Sequence, residues 1–163
     1  MTVKKICFYP DPVLREETQP VEKFDDELRS VVADMFETMY ANEGVGLAAP
    51  QVGISKKIVV IDYHGDKHVL INPEITSEEG EAMHEEGCLS FPGIFEVVPA
   101  PEKITVEYQD EKGESHNDTL EGFIACVFHH EIDHLNSRLL IDRVSPLKRQ
   151  FIKKKIAKRT REN

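Results

Sequence analysis

The segment from about Gly122 to Asn136 constrains this chain most, because its first turns, Phe123-Ile124-Ala125-Cys126-Val127-Phe128, are apolar on nearly every side. A helix of that kind belongs inside a domain, with other elements packed around it. Its second half reads His130-Glu131-Ile132-Asp133-His134. Positions four apart on a helix lie about 40° apart around the axis and one turn along it, so both imidazoles can reach a single metal ion. Glu131 projects on the same arc, near enough to take a proton from a metal-bound water without being a ligand. Imidazoles on a buried helix are rigid and desolvated, which fixes metal geometry better than a loop can. The plainer reading, two ordinary buried histidines on a core helix, stands until a third ligand is found.

Cys88, in Glu86-Gly87-Cys88-Leu89-Ser90, is the candidate. A thiolate binds zinc or ferrous iron well, and the adjacent Gly87 lets the backbone come close to a site. Cys126, four residues before His130 and facing nearly the same way, is a rival. Cys7 reads as a small apolar residue. A third segment, Gly44-Val45-Gly46-Leu47-Ala48-Ala49-Pro50-Gln51, is small and apolar and ends in one amide. No Gly-Lys-Ser/Thr follows its glycines, which argues against nucleotide binding. It reads either as a loop against a packed core or as an open edge for a peptide, with Gln51 as a donor.

The 163 residues, 40% hydrophobic, suit one domain with a real core. Three cysteines without a pairing pattern point to a reducing compartment. The start, Met1-Thr2-Val3-Lys4-Lys5-Ile6, lacks a signal-peptide apolar run, and no stretch is long enough to span a bilayer. The expectation is a cytoplasmic protein with no membrane partner. Charge is uneven: residues 148–163 carry net +7, leaving −17 on the first 147. A basic terminal helix is either a solvated face or a nucleic-acid contact.

Asp25 to Asn42 sets Leu28, Val31, Val32, Met35, Phe36 and Met39 at helical spacing, which predicts an amphipathic helix. Ile58 to Asp62 and His68 to Asn72 read as short strands, the first almost wholly apolar and therefore interior. Lys103 to Tyr108 alternates, Glu111-Lys112-Gly113-Glu114 makes a turn, and a partner strand follows up to Leu120. A last helix starts after Ser145-Pro146. The fold class is α+β: small mixed or antiparallel sheets around a central buried helix, with N-terminal and C-terminal helices. Residues 1–147 make the catalytic domain and 148–163 a basic helical extension of it.

Gly44–Gln51, Glu86–Ser90 and His130–Leu135, in this order and spacing, closely resemble the three signature motifs of the peptide deformylase family, and the resemblance runs over essentially the whole chain. It implies a hydrolase that removes the N-formyl group from newly made proteins and releases formate. It implies Cys88, His130 and His134 as ligands of one divalent ion, usually Fe2+ in the cell and Zn2+ or Ni2+ after isolation. Glu131 would be the base, while the Leu89 N–H and the Gln51 amide would steady the oxyanion. The formylmethionyl peptide would lie along Val45-Gly46, with Val45, Phe123 and Val127 around its methionine. The same resemblance implies a monomer and ribosome docking through the basic terminal helix.

The chain departs from the family pattern in places. His129 stands where glutamine is usual, Ser137 where glycine is common, and Phe95 in place of a polar substrate-facing residue. Val97-Val98-Pro99-Ala100 lacks the arginine typical near position 100. Asp133, deprived of that cation, should be solvated or hydrogen-bonded by other groups. His129 turns away from the metal arc and should be a polar residue satisfied outside it. Activity is expected nonetheless. Two other readings are an endoprotease built on the same His-Glu-x-x-His string and a divergent paralogue that binds metal or ribosome with little turnover.

Overall fold

The computed structural model describes residues 2–162; of the segment 148–163, Asn163 lies outside the described residues. Helix α1 (Asp26–Ala41) begins where the Asp25 carboxylate accepts from the Leu28 amide at 3.0 Å, and acids fill its first turn. One stripe, Leu28, Val32, Met35 and Met39, is buried, as its spacing predicts.

Among the described residues, seven strands form two sheets. β1 (Gly46–Ala48), β2 (Ile58–Tyr63), β3 (Asp66–Glu79), β6 (Lys103–Gln109) and β7 (Ser115–Glu121) make one sheet in the order β1-β2-β3-β6-β7. β4 (Ala82–Cys88) and β5 (Phe91–Ala100) make a separate hairpin. Every strand pairing is antiparallel. The α+β class holds, without a parallel pair of strands among the described residues.

β2 explains why a nearly unbroken apolar run sits at the centre. Val59 and Ile61 face one core, shared with helix α2 (Phe123–Leu135), while Ile58 and Val60 face the core under α1. Both faces are buried, so alternation is absent. A two-residue turn, His64-Gly65, joins β2 to β3 with φ of 53° and 88°, the left-handed pair that such tight hairpins need. β3 runs well beyond Asn72, where a strand end is predicted. Its register shifts after Ile71, and Asn72 sits at φ 53° with its amide tied to Val21 and Gln109. Pro73 follows at the bulge, where a missing ladder donor is tolerated. The Asn-Pro pair thus reads as a stop locally, although the strand resumes.

Helix α2 starts after Gly122, which adopts φ 83°, and ten of its thirteen residues are buried. Ala125, Val127, Phe128, Ile132 and Leu135 pack against β2, β3 and β6. The hairpin β4–β5 closes over the other side and shares a third core with Leu14, Leu139, Leu140, Ile141 and Ile152. Ile152 belongs to helix α3 (Pro146–Glu162), which opens with proline as predicted and is tied back by Arg149 Nε, donating to the Ile141 carbonyl at 3.2 Å.

Candidate active site

The hairpin and α2 bring three ligand-bearing residues together. The Cys88 sulfur and the Nε2 of His134 are 3.3 Å apart, and one donor atom from each of Cys88, His130 and His134 lies within 4.8 Å of the others. Two ligands of a tetrahedral ion, at about 2.3 Å for sulfur and about 2.1 Å for nitrogen, sit about 3.6 Å from each other. The cluster therefore fits a divalent metal. The β4–β5 register shifts between Gly87, opposite Phe95, and Cys88, opposite Phe91, so the thiol sits at an irregularity of the kind often found beside sites. Cys126, the rival ligand, points elsewhere: its thiol donates to Glu86 Oε2 at 3.2 Å, and burial, reinforced by Glu86, pushes its pKa up to about 12. Cys7 is half-buried and outside the cluster.

The two rings differ electrostatically. Burial lowers the pKa of both, but at His130 the bonds to Cys88 and Glu86 outweigh it and hold that ring well above the ordinary histidine value. At His134, burial together with the charges of His130 and Arg143 drives the pKa well below it. A bound cation takes over the compensating role of the proton, which is why metal loading of such a site releases protons.

Glu131 is 3% exposed, and its Oε1 has no hydrogen-bond partner among the described residues. Burial, opposed by His130 and reinforced by Glu86, pushes its pKa up to about 7, suited to exchanging a proton near neutrality. Gln51, from the turn Ala49–Val52, is held by its own Oε1 accepting from the Ala48 amide at 2.9 Å. Its Nε2 then reaches the Cys88 sulfur at 3.5 Å and the Ser90 hydroxyl at 3.2 Å. Leu89 directly follows the thiol. Gln51, Cys88, Leu89, His130 and Glu131 border a cavity of about 570 Å³, a size typical of small-ligand sites, whose lining also includes Val45, Gly46, Phe123 and Val127. Gly46 has to be glycine: a Cβ there would lie 2.7 Å from Glu131 Oε2.

Two participants escape local sequence reading. Glu86 accepts from His130 Nδ1 at 2.8 Å, which leaves that ring's Nε2 for the metal, and Arg143 grips the same carboxylate. Burial works against the Glu86 carboxylate, yet His130 and Arg143 outweigh it and hold the pKa at about 2. An acid two residues before Cys88 is the only local hint of Glu86. Arg143 has none, since 57 residues separate the pair.

The departures take definite places. Ser137 adopts φ 61°, a conformation glycine enters without strain, and its hydroxyl compensates by donating to the Arg15 and Glu16 carbonyls. Phe95 is 64% exposed at the cavity rim, where its ring covers Gly87 so closely that a Cβ would come within 2.6 Å. Asp133 meets its expectation only in part: it is 6% exposed and its Oδ2, one of two carboxylate oxygens, has no hydrogen-bond partner among the described residues. Burial raises its pKa against the pull of His129 and Arg143, so the carboxyl meets its desolvation by favouring the neutral form. His129 lies outside the metal cluster as predicted, but it is not fully satisfied. Its Nε2 is 3.5 Å from Glu78, and its Nδ1, 3.7 Å from Asp133, makes no hydrogen bond among the described residues.

Comparison with known proteins agrees with this geometry. The polypeptide deformylase family matches residues 3–150. The chain belongs to that family. It is 50% identical to a peptide deformylase of Thermotoga petrophila over 93% of each chain. It is 48% identical to one from Acidobacterium capsulatum, covering 99% of this chain and 98% of the other. A crystal structure of a peptide deformylase from Legionella pneumophila superposes with a TM-score of 0.93 at 46% identity, covering 98% and 96% of the two chains. The chain is thus a metal-dependent hydrolase that removes N-formyl groups from newly made polypeptides. Neither an endoprotease nor a binding protein without turnover is favoured.

Proposed function

We propose that Cys88, His130 and His134 hold the divalent ion, that Glu131 is the proton-transfer group, and that Gln51 and the Leu89 N–H stabilise the oxyanion formed on the formyl group. The observation that carries this reading is the convergence of the three ligand atoms, two of them on residues that line the cavity with Glu131, whose buried Oε1 has no hydrogen-bond partner among the described residues. When bound, the ion supplies Lewis acidity that brings the pKa of water toward neutrality. Glu131 accepts the proton from the attacking water and delivers it to the departing amine, so its carboxyl must alternate between two states of similar energy. Gln51, locked through Ala48, presents Nε2 without reorganising as negative charge develops.

The formylmethionyl peptide lies along the free edge of β1 at Val45-Gly46, and Val45, Phe123 and Val127 surround the methionine side chain. Thiolate with two imidazoles suits Fe2+, Zn2+ and Ni2+ alike, and Fe2+ is the physiological ion in this reading. The protein works as a cytoplasmic monomer, in keeping with the absence, among the described residues, of a helix long and apolar enough to cross a membrane. Exposed lysines of α3, including Lys154, Lys155 and Lys158, face ribosomal RNA phosphates. Reversing those three charges should abolish co-sedimentation with ribosomes, and unchanged binding would remove this part of the proposal.

Formate release from formyl-Met peptides tests the chemistry. Glu131→Gln should keep the metal and lose about 10²-fold to 10⁴-fold in kcat, whereas Cys88→Ser should weaken both metal retention and turnover. Parental turnover in Glu131→Gln would show that another group moves the proton.

A further inference from the structure

We propose that Arg143 is a positioning residue for the metal centre, holding Glu86 in a two-point grip and, through Glu86, fixing the ring of His130. This rests on the ligand set proposed above. Arg143 Nη1 donates to Glu86 Oε1 at 2.6 Å and Nη2 to Oε2 at 3.0 Å. Nη2 also donates to the Pro99 carbonyl at 2.9 Å, so the guanidinium is itself anchored to β5. The remaining acceptor sites of the carboxylate are filled from α2, by His130 Nδ1 at 2.8 Å and the Cys126 thiol at 3.2 Å. Four donors on two oxygens exhaust the capacity of a carboxylate and define one orientation for it.

The pair is a poor device for stability alone. Both side chains are only 5% exposed, and the cost of removing two charges from water offsets much of their attraction. What the fork provides is direction. A planar guanidinium with two parallel N–H bonds fixes the plane of the carboxylate, which a single bond or a lysine cannot do. That plane sets where His130 Nδ1–H points, and therefore the tautomer and aim of Nε2. Without Arg143 both remaining donors come from one side, and the carboxylate is free to pivot about them. Arg143 does not itself line the cavity, and its side-chain hydrogen bonds go to Glu86 and the Pro99 carbonyl, so its directional influence on the site passes through Glu86.

The test is metal affinity, read by chelator competition against the Zn2+-loaded and Co2+-loaded protein, with the Co2+ visible spectrum as a report on ligand geometry. Arg143→Met should weaken affinity about 10-fold to 100-fold and shift the Co2+ bands. Arg143→Lys, which keeps the charge but not the fork, should recover only part of it. Glu86→Gln with Arg143→Met leaves no unpaired buried charge and guards against a folding defect. Its affinity should match that of Glu86→Gln alone, because a residue acting through Glu86 adds nothing once Glu86 is changed. Parental affinity and spectrum in Arg143→Met, or additive losses in the double variant, would overturn the proposal. Cys88→Ser, measured alongside, separates the two readings: if it too leaves affinity unchanged, the ligand set is at fault rather than Arg143.

Discussion

Gly46→Ala gives the most direct test of how tightly the β1 edge and the proton-transfer group are fitted. The added Cβ would stand 2.7 Å from Glu131 Oε2, 2.8 Å from its Cγ and 3.0 Å from its Cδ. Carbon atoms in good contact are about 3.5 Å or more apart, so the side chain has to give by about 0.8 Å. The Cγ contact matters most, since it strikes the stem and not only the mobile tip. The backbone itself accepts alanine, because φ at Gly46 lies outside the left-handed range. Misplacing a reacting group by about 1 Å costs about 10²-fold, and that is the expected fall in kcat. Overpacking should cost about 1–3 kcal/mol of stability, while metal content per chain stays at the parental level. The assay is steady-state formate release with metal analysis on the same preparation. Gly46 also lines the cavity proposed to hold the substrate, so a rise in KM alone is not diagnostic. In a Glu131→Gln background the alanine should cost little further kcat, because the group it displaces is already inactive. A Gly46→Ala enzyme with kcat within about threefold of the parent would refute the assigned contact.

Three further outcomes follow from features away from the proton transfer. Ser137→Ala keeps φ 61° and loses both hydroxyl bonds, so it should destabilise by about 1–2 kcal/mol in urea melts, whereas Ser137→Gly should fall within about 0.5 kcal/mol of the parent. The hydrogen bond to Asp110, at 2.8 Å, raises the His116 pKa above its ordinary value, while burial opposes the pull of His116 at Asp110 without preventing its pKa from falling. The pair therefore supports the fold between the two folded-state pKa values, fading as pH rises through that of His116 or falls through that of Asp110. In Asp110→Asn the NMR titration midpoint of His116 should drop, and an unchanged midpoint would refute the pairing. Chelation should lower the melting temperature, because the ligands bridge the β4–β5 hairpin and α2, and the loss should be smaller in Cys88→Ser.

Much of this architecture was legible because period and punctuation agree. β6 alternates strictly, the Gly113 turn then implies β7 as its partner, and α2 shows its apolar first turns and its histidines at one-turn spacing. The β4–β5 hairpin was not legible as strands. Ala82-Met83-His84-Glu85-Glu86 mixes exposed Met83 with buried Glu86, so the usual alternation of apolar and polar residues is reversed in places. The candidate site divides in the same way. Two of the proposed ligands and the proposed proton-transfer group lie within five consecutive residues, so helix geometry alone relates them. Choosing Cys88 over Cys126 required the bulge at Gly87–Cys88, and Arg143 met Glu86 only through packing of the turn Leu140–Arg143 beneath the hairpin.

Because β2 is greasy on both sides, sliding it by one position would exchange Val59 and Ile61 for Ile58 and Val60 and leave burial almost unpunished. Something other than oil-and-water sorting has to set the alignment, and the His64-Gly65 corner does so, helped by the Asp62 carboxylate accepting from the Gly65 amide at 2.9 Å. The Gly46–Ile61 pairing inherits its placement from that corner. A bulkier residue at Gly65 meets no atom within 4 Å, yet it would strain the bend and so loosen the alignment of a catalytic edge it never touches.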